Sequence, residues 1–237
     1  MTKTNWLNYW DKKNIWTESE LWKKNNEIFF QKTSNIFKYD KNQTVLDIGC
    51  GNGDFAKKVS NKVGQVYCLD TSQEFINLCK INVSNKNNIK ILKLNNDYTN
   101  LSFLKNINFS IIIANSVVQY YESQEEIVDL VKSVKKIALK DAYFLISDIE
   151  VIGNKKKSYF KLIYNTIIEG HFISLMKLGL TIFMDKEYRN MMKYQDILYV
   201  NLDKLIKDLS ILVNKVTVIN EKFQILDLNR KSLLIQF

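Results

Sequence analysis

The most informative segment of the sequence is the glycine-rich stretch Val-Leu-Asp-Ile-Gly-Cys-Gly-Asn-Gly-Asp at residues 45–54. An apolar run leads into three alternating glycines, Gly49, Gly51 and Gly53, and a helical pattern follows. Glycine adopts positive φ and has no Cβ, so the backbone can approach a ligand closely, and the first amides of the helix can donate hydrogen bonds. The stretch therefore predicts a ligand-binding turn between a strand and a helix.

The acidic residues of this stretch restrict the ligand. A dinucleotide fingerprint has the form G-x-G-x-x-G, but here the third glycine comes one residue early and Asp54 takes its place. Asp47 and Asp54 would repel a pyrophosphate, whereas a ligand with an ammonium and a sulfonium group would be tolerated or attracted. A Walker A loop is excluded because no Gly-Lys-Ser or Gly-Lys-Thr follows.

Asp47, Gly49, Gly51 and Gly53 resemble the first motif of the class I S-adenosylmethionine-dependent methyltransferases, acid-x-Gly-x-Gly-x-Gly. The similarity is to the small-molecule branch, of the methyltransferase-11 and -25 type. It implies S-adenosyl-L-methionine as cofactor and S-adenosyl-L-homocysteine as product. The glycine turn, with Cys50, would wrap the methionine portion, and Asp47 would order the turn near its amino group. The alternative is that the three glycines only form a structural turn and bind no cofactor.

Three further motifs of this family follow in order at the ends of the next predicted strands. Asp70 ends the second strand, and the resemblance implies that it binds both ribose hydroxyls, a task suited to a carboxylate. Asp97 resembles the acid that binds the adenine amino group, and Asn115 the residue whose backbone borders the cofactor. The full predicted cofactor set is Asp47, Gly49, Cys50, Gly51, Gly53, Asp70, Thr71, Asn96, Asp97, Tyr98, Asn115 and Ser116.

Short apolar runs alternate with helical patterns from residue 44 onward, which is typical of a parallel sheet with crossover helices. We predict strands at 44–48, 65–69, 89–94, 109–114, 142–147, 215–220 and 232–237, and helices at 18–38, 54–62, 72–83, 124–139 and 202–212. The expected fold is α/β and Rossmann-like, a seven-stranded, mostly parallel sheet with an antiparallel edge strand and a helical cap insertion. The predicted segments are an N-terminal helical part over the active site (1–39), the cofactor-binding core (40–150), the cap (151–198) and the completion of the sheet (199–237).

No motif of the sequence identifies the residues that bind the methyl acceptor, so these candidates are chosen by residue type. Methyl transfer is an in-line displacement that depends on alignment, and an oxygen acceptor benefits from a base. His171, the only histidine, and Asp148 are the candidate catalytic bases, with Glu150 as an alternative to Asp148. Trp10, Gln119, Tyr120 and Tyr164 are the candidate acceptor-binding residues, because aromatic rings with polar handles suit polar metabolites.

The charge and the cysteine content of the sequence limit the partners that we expect. The chain of 237 residues has a net charge of +9, but only two of its 34 basic residues are arginines, so a nucleic-acid partner is not expected. Its three cysteines lack disulfide or metal-ligand spacing, so we predict packing roles, no metal and a cytoplasmic location. Neither a secretory signal nor a transmembrane segment is predicted. Three lysines at 155–157, beside the apolar run 172–184, leave a weak peripheral membrane contact open.

The leading hypothesis is methyl transfer to a small polar metabolite, at oxygen rather than nitrogen, with a surface-glycan precursor as an acceptor suggested by analogy. An RNA or protein methyltransferase is the runner-up, which lysines clustered at the mouth of the site would favour. A catalytically silent binding subunit that keeps the fold is the third option. The sequence leaves the oligomeric state open.

Overall fold

The computed structural model describes residues 4–12, 14, 20–95, 97–152, 176–177, 179–180, 183–186, 189, 197–220, 223 and 230–237. Three predicted site residues, Asn96, Tyr164 and His171, lie outside these residues, as does most of the predicted cap. The four-segment division of the chain therefore stays a prediction. Among the helices that are described, none is both long and apolar enough to cross a lipid bilayer.

A seven-stranded sheet organises the chain, with the strand order β3-β2-β1-β4-β5-β7-β6. The central strand β1 pairs in parallel with β2 on one side and β4 on the other. Strand β7 lies between β5 and β6 and runs antiparallel to both. Strand β6 forms the edge of the sheet on this side. The bounds are β1 Thr44–Ile48, β2 Gln65–Asp70, β3 Ile89–Lys93, β4 Phe109–Asn115, β5 Ala138–Ile149, β6 Lys215–Ile219 and β7 Lys231–Gln236. The predicted Rossmann-like, mostly parallel sheet with an antiparallel pair at its edge is confirmed.

The α-helices that accompany the sheet within the described residues include α1 Thr4–Trp10, α2 Glu20–Phe37, α3 Asp54–Val59, α4 Gln73–Asn82, α5 Gln124–Lys135 and α6 Leu202–Ser210. Two of these helices, α4 and α6, begin at a side-chain cap. The Ser72 hydroxyl accepts a hydrogen bond from the Phe75 amide at 3.0 Å and thereby begins α4, and Asn201 does the same for α6. Gly53 is the N-cap of α3, so the glycine turn leads directly into a helix.

The core has two apolar layers, one on each face of the sheet. Alternate residues of β1 divide between them: Val45 packs on the face covered by α2, α3 and α4, whereas Leu46 packs on the face covered by α5 and α6. Strand β4 is buried on both faces, as its continuous apolar run predicts. Asp47 and Cys68 pair in register and follow Val45 and Val66 by two residues, which places both on the α2–α4 face.

Candidate functional site

Two clefts open at the carboxyl ends of β1, β2 and β4, and both are lined by Gly49. We call the larger one, of about 570 Å³, the aromatic cleft, and the other, of about 520 Å³, the polar cleft. The aromatic cleft is lined by Trp6, Leu7, Trp10, Ile48, Gly49, Asp70, Thr71, Leu94, Tyr98, Val117, Tyr120 and Tyr121. The polar cleft is lined by Trp22, Asn25, Asn26, Phe29, Asp47, Gly49, Cys50, Phe55, Asn115 and Ser116. An elongated ligand with an aromatic end and a polar end fits this pair of clefts.

The glycine turn separates the two clefts, and its three glycines serve different purposes. A Cβ at Gly49 would lie 2.4 Å from Val117 Cγ2, and one at Gly53 would lie 2.5 Å from Cys79 Sγ, so the packing of the protein itself excludes side chains there. Gly51 has a φ of +55°, and the nearest atom to its added Cβ is Trp22 Cζ2 at 3.7 Å. Gly51 itself is buried, and the turn borders the polar cleft through Gly49 and Cys50, which line it together with Trp22.

Asp70 holds the turn and the start of α4 together. One carboxylate oxygen accepts a hydrogen bond from the Gly51 amide and the other from the Ser72 amide, both at 2.9 Å. Burial raises the pKa of Asp70 to about 6, although these amide bonds oppose the rise. Each carboxylate oxygen can accept a further bond, so Asp70 can still receive two hydroxyl groups from a ligand in the aromatic cleft.

Asp47 presents an unsatisfied acceptor to the polar cleft. Its side chain is buried, and its Oδ2 atom has no hydrogen-bond partner among the described residues. Burial raises the pKa of Asp47 well above its ordinary value, and the nearby Cys79 and Asp70 raise it further. An unpaired buried acceptor is costly, so this position favours a ligand that brings a donor, above all a cationic one.

Helix α2 contributes residues that the sequence analysis missed. Trp22, Asn25 and Asn26 line the polar cleft together with Asn115 and Ser116, which were predicted. The Asn115 Oδ1 atom accepts a hydrogen bond of 2.6 Å from the Ser147 hydroxyl, which orients its amide. The signal in the sequence was a pair of asparagines one turn after Trp22 and one turn before the buried Phe29, on the inward side of an amphipathic helix.

Asp148, one of the two predicted bases, is part of an ion-pair network at the end of β5. It is buried, and its Oδ2 atom accepts hydrogen bonds from the Ser116 hydroxyl at 2.6 Å and from Arg230 at 2.5 Å. Arg230 also pairs with Glu150 at 2.7 Å. An arginine partner stabilises the carboxylate form and makes it a weaker base. The geometry therefore favours Asp148 as a residue that holds Ser116, and its use as a base stays a prediction.

Of the residues that follow β3, where the adenine contacts were predicted, some line the aromatic cleft and others do not. Leu94 and Tyr98 line the aromatic cleft, and Tyr98 stacks on Tyr121 with ring centroids 4.6 Å apart. Asp97, predicted to bind the adenine amino group, is exposed and lies outside the described lining of both clefts; its carboxylate accepts a hydrogen bond from the Thr99 hydroxyl at 3.3 Å. Leu94 and Tyr121 were missed because no motif includes them.

Helix α1 closes the aromatic cleft with tryptophan rings. Trp6 packs on Tyr120 at 4.6 Å between centroids, and Trp10 packs on the same ring at 5.8 Å. The Trp10 carbonyl accepts a hydrogen bond of 2.8 Å from the Ser72 hydroxyl, so the end of α1 is tied beside Asp70. Trp10 and Tyr120 thus line the aromatic cleft, and their role in acceptor binding stays a prediction, whereas Gln119 is buried outside the described lining of both clefts.

Comparisons with known proteins agree with this architecture. Residues 45–140 match the family model described as a methyltransferase domain. Among solved structures, an S-adenosyl-L-methionine-dependent methyltransferase described as putative, from Methanococcus maripaludis, aligns with a TM-score of 0.58 at 14% identity, covering 91% of this chain and 86% of that one. The N-methyltransferase NodS from Bradyrhizobium japonicum, solved with S-adenosyl-L-homocysteine, aligns with a TM-score of 0.55 at 10% identity, covering 97% and 94%.

A third structure, phosphoethanolamine N-methyltransferase 1 from Haemonchus contortus, aligns with a TM-score of 0.52 at 16% identity. The match covers 68% of this chain but only 39% of that enzyme. The comparison with curated proteins finds no significant match. The structural likenesses establish the fold, and together with the matched domain they confirm the class I methyltransferase resemblance.

Proposed function

Taking residues 45–140 as a methyltransferase domain, we propose that the protein transfers a methyl group from S-adenosyl-L-methionine to an oxygen atom of a small polar metabolite. The observation that carries the proposal is the unpaired Oδ2 atom of Asp47, beside a glycine turn whose Gly49 and Cys50 line the polar cleft. The ammonium group of the cofactor is the donor that this acceptor lacks. Asp70 holds the ribose hydroxyls, and the aromatic cleft takes the adenine between Leu94 and Tyr98.

The cofactor, when bound, supplies an activated methyl group, so the protein's own residues have to bind, align and exclude water. The glycine turn fixes the cofactor between the two clefts. Trp6, Trp10 and Tyr120 cover the aromatic cleft and keep water away from it. His171 and Asp148 remain the candidate bases for an oxygen acceptor, and Gln119, Tyr120, Tyr164 and Trp10 the candidate acceptor-binding residues.

The lining of the clefts favours a small acceptor over a nucleic acid. Within the described part of the chain, no lysine or arginine lines either cleft, although the whole sequence carries +9. A polyanion would require basic residues at the mouth of the site. Two of the structures compared above are named as N-methyltransferases, so nitrogen is the competing acceptor atom. A surface-glycan precursor stays an acceptor suggested by analogy.

We expect S-adenosyl-L-homocysteine to raise the melting temperature. A ligand that binds only the folded state at 100 times its Kd stabilises that state by about 2.7 kcal/mol. For a chain of this size the shift corresponds to about 5–10 °C. Differential scanning fluorimetry measures it, with adenosine diphosphate as the control ligand. A shift with the diphosphate and none with S-adenosyl-L-homocysteine would contradict the assignment of the glycine turn.

Asp47→Asn is expected to separate folding from cofactor binding. The amide keeps the shape of the carboxyl group and cannot ionise, so the cost of ionising a buried carboxyl group is absent and the ligand-free variant should melt no lower than the wild type. It also places an N–H group near the cofactor's ammonium, so affinity for S-adenosyl-L-homocysteine should fall at least tenfold. Isothermal titration calorimetry measures the affinity. An unchanged Kd would remove Asp47 from the cofactor site.

Transfer itself is tested with cofactor that carries a labelled methyl group, incubated with fractionated small metabolites and, separately, with RNA. The proposal expects label in a small product that has an oxygen–methyl bond. Label in RNA would favour the runner-up hypothesis, and a nitrogen–methyl product would correct the acceptor atom. Cofactor binding without any transfer would favour the silent binding subunit.

A further inference from the structure

All three cysteines of the chain meet at one place behind the glycine turn. Cys50 belongs to the turn, Cys68 to β2 and Cys79 to α4, and their sulfur atoms all lie within 4.8 Å of one another. The exposed fractions of the three residues are 8%, 0% and 0%. Three separate elements thus bring every thiol of the sequence into a single buried cluster.

We propose that Cys50, Cys68 and Cys79 form a binding site for a divalent thiophilic metal ion such as Zn²⁺. Thiolates are preferred ligands of Zn²⁺, with a bond length of about 2.3 Å. Because no two of the sulfur atoms are more than 4.8 Å apart, a point between them lies about 2.8 Å or less from each. An inward shift of about 0.5 Å by each sulfur therefore completes three metal–sulfur bonds. A side-chain rotation of this size requires no rearrangement of the backbone.

The surroundings decide the charge of the ion. Binding replaces the thiol protons, so three thiolates contribute three negative charges. A divalent ion leaves one net negative charge, and a monovalent ion leaves two. Asp47 pairs in register with Cys68, and both Asp47 and Asp70 are buried close to the turn. Because an additional buried negative charge beside these carboxyl groups is costly, the site favours a divalent ion.

The cluster is closed on one side and accessible on the other. Cys68 and Cys79 pack in the apolar layer that also contains Val66 and Phe55, which keeps water and competing oxygen ligands away. Cys50 lines the polar cleft and so provides a path by which an ion can enter. Three sulfur ligands select soft metals over Mg²⁺ or Ca²⁺, which prefer oxygen. The spacing along the chain did not reveal the site because its ligands come from three elements.

Titration of the full-length, reduced, metal-free chain with CdCl₂ tests the proposal. We expect ultraviolet thiolate-to-metal charge-transfer absorption that saturates at one equivalent, together with a rise in melting temperature, since an ion held by the folded state stabilises it. Cys68→Ala should weaken Cd²⁺ binding at least 100-fold. Cys50→Ala, in the turn, provides the same test if Cys68→Ala does not fold.

Val66→Ala is the matched control, because it truncates a buried side chain of the same strand and keeps all three thiols. It should bind Cd²⁺ like the wild type. The proposal is overturned if the folded, reduced protein gives no charge-transfer band, or if the cysteine variants bind Cd²⁺ as tightly as Val66→Ala. A fall in melting temperature on addition of Cd²⁺ also overturns it, because the ion would then prefer the unfolded chain.

Discussion

Asp70→Ala is expected to weaken the binding of S-adenosyl-L-homocysteine by more than tenfold, because two ribose hydroxyls would lose a charged acceptor. A hydrogen bond to a charged group contributes roughly 1.5–3 kcal/mol, and a tenfold change in Kd corresponds to about 1.4 kcal/mol. Calorimetric Kd values of the folded variant and the wild type test this result. Asp129→Ala, on the exposed surface of α5, is the control and should bind as the wild type does. Equal affinities for Asp70→Ala and the control would remove Asp70 from the site.

The same carboxylate makes cofactor binding dependent on pH. Burial raises the pKa of Asp70 in the ligand-free protein to about 6, and ribose hydroxyls donate to the ionised form. Affinity should therefore fall as the pH drops through about 6, by up to tenfold per pH unit. The stability of the ligand-free protein should change in the opposite direction. A carboxyl group whose pKa is higher in the folded state stabilises the fold when protonated, and this contribution is lost as the pH rises from about 4 to above 6.

Asp70→Asn isolates this effect from other groups, in particular Asp47, which is also buried. The asparagine side chain does not titrate, so the decrease in affinity near pH 6 should be smaller in this variant than in the wild type. Titrations at pH 5, 6, 7 and 8 are sufficient to compare the two slopes. Parallel pH profiles would assign the titration to another group.

Gly51→Ala and Gly53→Ala form a matched pair with the second large expected effect. Both glycines have positive φ, which costs an alanine roughly 1–2 kcal/mol. At Gly53 the new Cβ would also lie 2.5 Å from Cys79 Sγ, and overpacking of a core costs roughly 1–3 kcal/mol more. Gly53→Ala should therefore lower the free energy of unfolding by about 3 kcal/mol, or the melting temperature by about 6–12 °C.

Gly51→Ala should affect stability less than Gly53→Ala does, and should affect cofactor affinity strongly. Its added Cβ meets no atom closer than 3.7 Å, so only the backbone cost applies and the fold is largely kept. The methyl group would lie 3.7 Å from Trp22, which lines the polar cleft, at the part of the turn proposed to hold the cofactor, so affinity should fall more than tenfold. Thermal denaturation and calorimetry are run on both variants at a temperature where each is folded. If Gly51→Ala binds the cofactor normally, the turn does not hold the methionine portion as proposed.

Local sequence patterns were sufficient to predict the strands in the cofactor-binding half of the sheet. The bounds of β1, residues 44–48, agree with the prediction, because a short apolar run between turn residues specifies a buried strand without reference to distant contacts. Asp47 stood out as an acid beside the glycines and Asp70 as an acid at the end of the next strand, and in the structure each lines a cleft at the carboxyl ends of the strands. The order of the motifs then led to the methyltransferase resemblance.

Contacts between distant elements decided the position of β7 in the sheet and which side chains meet. Strand β7 lies between β5 and β6, and Arg230 just before it pairs with Asp148, a partnership that no periodicity indicates. The sequence by itself determined where most strands and helices form, since these depend on neighbouring residues, although it extended the predicted helix 124–139 into residues 138–139, which begin β5. The tertiary structure alone decided which side chains meet, such as the three cysteines and the α2 asparagines at the polar cleft, because packing brings together residues that are far apart in the chain.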